Sequence, residues 1–104
     1  MPDLPALYRR MREEYPEVAG AYDALGQAAY QAGPLEAKAA SLIKLALAVG
    51  AGLEGAVHSH TRRALSQGAS PDEISLVAVL AITTLGWPTA ASAYSWINDI
   101  LDEG

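Results

Sequence analysis

The sequence predicts an all-α domain of about six helices. Three observations carry this. Apolar residues recur at helical spacing along much of the chain, as in Val18, Tyr22, Leu25 and Ala29. Helix stops and starts fall between those stretches, at Pro16, Gly33-Pro34, Gly50-Ala51-Gly52, Gly68 and Gly86-Trp87-Pro88. No stretch alternates as a strand does, and none reads as a repeat or a linker.

The elements follow in order. Met1 to Pro5 reads as a short arm, and an amphipathic first helix runs from about Leu4 to Glu14, with Leu4, Leu7, Tyr8 and Met11 on one side. Pro16 suits the first turn of a second helix, because its missing N–H is not needed there. That helix runs to about Ala32, and Val18, Tyr22, Leu25, Ala29 and Ala32 recur along it at helical spacing. Gly33-Pro34 ends it, with glycine tolerating a left-handed cap and proline unable to continue. The third helix runs from about Leu35 or Glu36 to Val49 and is apolar nearly all round, interrupted by Ser41 and Lys44. A helix of that kind is buried on most sides, at the centre of the domain or in a subunit interface. A glycine turn leads to a fourth helix, Glu54 to about Gln67, where Glu54 meets the positive dipole end and Gly68 caps. Ser70-Pro71-Asp72-Glu73 combines an N-cap, a first-turn proline and a capping-box glutamate. The fifth helix then runs to about Thr84, with Ile74, Val77, Ala78 and Ala81 inward. A sixth, from about Pro88 to Leu101, carries Ala91, Tyr94, Ile97 and Leu101.

Composition narrows the function. The 104 residues are 51% hydrophobic, yet alanine supplies much of this and there is no Phe. A core of small side chains gains stability from self-association, so a homo-oligomer is expected. A net charge of −5 disfavours nucleic acid and anionic membrane as partners, since both need a basic footprint. With no cysteine, disulfides, thiolate catalysis and Cys-based metal sites are excluded. No signal peptide is read at the N-terminus. No apolar run reaches the roughly 18–20 residues that span a bilayer. The expected location is cytoplasmic.

Candidate chemistry gathers around the fourth helix. His58 and His60 are two residues apart and point about 200° apart on a helix. They cannot chelate one metal within one chain, and no metal site or cofactor is read. His58 lines up with Glu54 and Arg62 at i−4 and i+4, as a solvated charged stripe or as a Glu54–His58 pair at a pocket rim. His60 shares the small apolar face with Leu53, Ala56, Val57 and Ala64. It reads either as a core histidine bonded to a backbone carbonyl or as a general acid/base in an apolar pocket. Lys44 either lays its stem over apolar surface or holds a substrate carboxylate. Trp87 is a packed loop anchor or a pocket wall.

The same stretches resemble the carboxymuconolactone decarboxylase superfamily, which includes the alkylhydroperoxidase-D-like proteins. KAASLIKLALAVG is similar to the family's Lys-x-x-x-Leu-Ile-x-Leu-Ala helix through Lys38, Leu42, Ile43, Leu45 and Ala46. HTRRALSQGASPDEI follows a second family pattern through His60, Ala64, Gly68, Ser70, Glu73 and Ile74. The later LGWPTA resembles the family's small-residue-then-Pro segment. The resemblance covers about Leu35 to Ile97. It implies one domain over 1–104, with an N-terminal helical extension at 1–34 and the family core at 35–101. It also implies an alkylhydroperoxidase-D-like helical fold and trimers or hexamers.

The peroxidase branch of that family pairs Cys-x-x-Cys-x-x-x-His with a glutamate on the preceding helix. Carried over, the histidine is His60, the cysteines fall on Leu53 and Ala56, and the glutamate falls on Ser41. A thiol peroxidase is therefore excluded. The decarboxylase branch implies a small anionic lactone or keto acid, with His60 as catalytic acid/base and Lys44, Glu54, His58 and Trp87 as candidate binding residues. The alternative is a non-catalytic oligomeric binding or scaffold protein that has lost the relay.

Overall fold

The computed structural model describes residues 6–103, so the arm at Met1–Pro5 and the helix start at Leu4 lie outside the described residues. Six α-helices and no strand occur among them: α1 Ala6–Glu14, α2 Pro16–Gln31, α3 Ala37–Ala51, α4 Glu54–Ser66, α5 Pro71–Leu85 and α6 Trp87–Leu101. The chain forms two compact units, one up to Leu35 and one from Glu36.

In the first unit, α1 and α2 are joined through Tyr15, whose N–H donates to the Met11 carbonyl at 2.8 Å. Charge ties the pair together. Arg12 Nη1 lies 2.6 Å from Asp23 Oδ2, and its guanidinium sits 5.6 Å from the centre of the Tyr8 ring. Ala19 is the buried residue of α2. Val18, Tyr22 and Leu25, which recur at helical spacing, are exposed. The spacing identified the helix but not a buried face, because an apolar stripe reports amphipathicity and not what covers it. Gly33 also departs from expectation: the positive-φ glycines are Gly52, Gly68 and Gly86.

The second unit holds the main core. Leu45, Val49, Val57, Ile74 and Ile97 are buried there, with alanines from α3 to α6 filling the contacts between helices. Each helix packs against its neighbour in sequence, α3 on α4 and α5 on α6, and α4 also packs against α6. Two helix ends use the same device. At the end of α3, Gly52 takes φ 68°, the Leu53 N–H reaches the Ala48 carbonyl at 3.2 Å, and the Gly52 N–H reaches Val49 at 3.1 Å. At the end of α4, Gly68 takes φ 92°, Ala69 bonds back to Ala64 at 3.0 Å and Gly68 to Leu65 at 3.1 Å. Both are Schellman closures, which satisfy carbonyls that a helix end otherwise leaves open. The capping box at α5 is formed: the Glu73 N–H donates to Ser70 Oγ at 3.1 Å, and the Ser70 N–H to Glu73 Oε1 at 2.9 Å.

Two faces differ from the sequence reading. Helix α3 buries Ser41, Leu45, Ala48 and Val49, while Ile43 and Leu47 on its other side are exposed. Helix α6 buries Ala90, Ala93, Ile97 and Ile100, and Tyr94 is exposed. Of the residues the sequence reading named here, Ile97 is buried and Leu101 packs against the core, while Ala90, Ala93 and Ile100 complete the buried face.

Candidate functional site

Helix α4 carries both histidines and places them on opposite flanks. Its inward residues are Val57, Thr61 and Ala64. One flank faces α3 and the other faces α6.

On the α3 flank, His60 is half-buried. Burial pushes its pKa below the ordinary value of 6.5, and the positive charges of Lys44 and Arg63 push it further the same way. The imidazole is thus neutral at neutral pH, with one nitrogen able to accept a proton. Lys44 comes from α3 and Arg63 from the next turn of α4, so two helices direct cations at one ring. Elsewhere in this unit Lys38 Nζ pairs with Glu73 at 2.9 Å and Arg62 Nη2 with Glu103 at 3.2 Å. Beside it in sequence, Thr61 is fully buried, and its Oγ1 has no hydrogen-bond partner among the described residues. Ser41, where the resembled glutamate would stand, is also fully buried, and its hydroxyl donates to the Lys38 carbonyl at 2.7 Å. That bond occupies the hydroxyl proton within the helix itself.

On the α6 flank, His58 Nε2 lies 3.0 Å from Asp99 Oδ2. Glu54 joins them, and one ligand atom from each of the three lies within 4.8 Å of the others. One turn further on, Arg62 meets Glu103. The Glu54–His58 alignment was readable from i, i+4 spacing. Asp99 and Glu103 were not, because each lies 41 residues from its partner and no local pattern announces such a contact.

The five sequence candidates therefore divide. Lys44 and His60 are brought together on one flank. Glu54 and His58 are brought together on the other. Trp87 opens α6 and is exposed.

A separate groove of about 730 Å³ runs between α3 and α5, lined by Ile43, Leu47, Leu76, Leu80 and Leu85 among others. Glu73 is its charged group, and Lys38 already pairs with it. Neither His60 nor Lys44 lines this groove.

Residues 16–99 match the carboxymuconolactone decarboxylase family. The match starts within the first compact unit and takes in α2. The fold is similar to the crystal structure of an apo carboxymuconolactone decarboxylase family protein from Legionella pneumophila, at a TM-score of 0.74 and 28% identity, over 90% of this chain and 87% of that one. No curated protein matches the chain.

Proposed function

Because the chain belongs to the carboxymuconolactone decarboxylase family, we propose that it converts a small anionic lactone or keto acid, with His60 as the general acid/base. The observation that carries this reading is the half-buried His60, whose proton affinity is lowered by burial and by the charges of Lys44 and Arg63. Two cations beside an imidazole suit a carboxylate substrate, since charge-assisted contacts hold an anion and partial desolvation strengthens them. Binding the anion offsets the two positive charges, which favours the imidazolium, so the ring takes up one proton from solvent and holds it ready for the substrate carbon from which CO2 departs. Decarboxylation leaves a carbanion or enolate that must be protonated, and a single acid of this kind meets that need.

The test is turnover of a panel of small lactones and keto acids. His60→Ala should lower kcat by about 10²–10⁴-fold, the usual worth of a positioned acid/base. The folded state is followed in parallel by circular dichroism. Undiminished turnover in a folded variant overturns the assignment.

A second reading, a non-catalytic binding protein, is favoured by Ser41. Its hydroxyl is spent on the Lys38 carbonyl, so His60 lacks the carboxylate partner that the peroxidase branch uses. Any His60-dependent turnover rules this reading out.

The proposal includes self-association through the α3–α5 groove. That groove is apolar and its carboxylate is paired, so it offers little to a small anion and much to another copy's apolar helix. Leu80→Glu should shift the mass measured by light scattering towards a smaller assembly. An unchanged mass places the contact elsewhere.

A further inference from the structure

We propose that Glu54, His58 and Asp99 form a binding site for a divalent transition metal, with Zn²⁺ as the preferred ion, at the seam between α4 and α6. The site is separate from the His60 flank and plays no part in the proton transfer proposed there.

The donor set is one imidazole nitrogen and two carboxylates. Imidazole favours zinc and its neighbours over magnesium or calcium, and the carboxylates supply the negative charge that a divalent ion needs. As metal ligands an imidazole is neutral and each carboxylate brings one negative charge, so the donor set contributes two. The geometry is close to what zinc requires. Metal–ligand bonds of about 2.0–2.2 Å in a tetrahedron put ligand atoms roughly 3.3 Å apart. His58 Nε2 and Asp99 Oδ2 are 3.0 Å apart, and the three ligand atoms lie within 4.8 Å of one another. A change in the Glu54 rotamer covers the difference, and water completes the coordination of an exposed carboxylate.

The framework is firm on both sides. Val57, next to His58, is fully buried, and so is Ile97 near Asp99. The residues beneath the ligands therefore fix the two helices. The adjoining cation is already balanced, since Arg62 is held by Glu103 one turn away. On binding, the ion takes the place of the His58–Asp99 contact, with Nε2 as the ligand atom and the ring proton on Nδ1.

The experiment is calorimetric titration of the chelator-treated full chain with ZnCl₂, with CoCl₂ as the spectroscopic probe. One equivalent should bind, and the cobalt visible spectrum should report a four- or five-coordinate ion. Glu54→Gln and Asp99→Asn, which keep side-chain shape, and His58→Ala should each weaken binding about tenfold or more. His60→Ala should leave the affinity unchanged. No binding at millimolar zinc, or binding insensitive to all three ligand variants, overturns the proposal. The two isosteric variants keep the test decisive if His58→Ala fails to fold.

Discussion

His58 and His60 are separated by one serine, yet they stand in opposite surroundings. His60 faces α3 and meets Lys44 and Arg63. His58 faces α6 and meets Asp99, with Glu54 close by. Two steps along a helix turn a side chain through about 200°, so neighbours in sequence sample different partners. The charge around each imidazole is set mainly by the helix packed against that flank. His60 is half-buried beside cations, whereas His58 Nε2 meets the exposed carboxylate of Asp99 at 3.0 Å.

That contrast can be broken at several points. Leu45→Ala empties a fully buried position next to Lys44 and should cost about 2–5 kcal/mol in denaturant unfolding. A cost under about 1 kcal/mol would mean that packing does not hold the His60 flank. Thr61→Val removes a buried hydroxyl that has no partner among the described residues. It should stabilise the protein by about 1 kcal/mol, read as a higher Tm. A lower Tm would reveal a bonded hydroxyl between the flanks.

The pH dependence sharpens the comparison further. In the folded chain the His60 pKa is depressed, so the unfolded chain takes up that proton first as pH falls. The group's stabilising contribution is full above about pH 6.5 and is lost as pH drops through the lower folded value. Lys44→Met should raise the His60 pKa in an NMR titration and flatten this part of the stability curve. A pKa that does not move would remove Lys44 from the His60 environment. The smallest effect belongs to the other flank. Asp99→Asn in metal-free protein should cost less than about 1 kcal/mol and should matter less in high salt, as for other exposed pairs. A larger, salt-independent loss would show that the His58–Asp99 contact is more than an exposed pair.

Much of the helical plan was legible because its signals are local. Ser70-Pro71-Asp72-Glu73 names its own cap, Gly68 ends α4, and Glu54 aligns with His58 by spacing alone. The buried faces were less legible. Val18, Tyr22 and Leu25 form a clear stripe, but a stripe does not say what covers it. Ala90 and Ala91 are adjacent and identical on α6, so hydrophobic contrast cannot decide which of them turns inward. Lys44 was visible as an oddity in an apolar helix, though its approach to His60 needed the α3–α4 packing. Asp99 carried no local mark at all, since its role comes from a contact across 41 residues.

The tight closure of α3 at Gly52 has a consequence in time. It sends the chain directly into α4, so the contacts of the α3–α4 pair close with little loop entropy and form early. Lys44, His60 and Arg63 all belong to that pair. His58 must wait for α6 to bring Asp99. The two imidazoles should therefore acquire their neighbours in sequence, His60 first. In stopped-flow folding, substitutions along the α3–α4 seam should mainly slow folding, and those at the α6 contact should mainly speed unfolding.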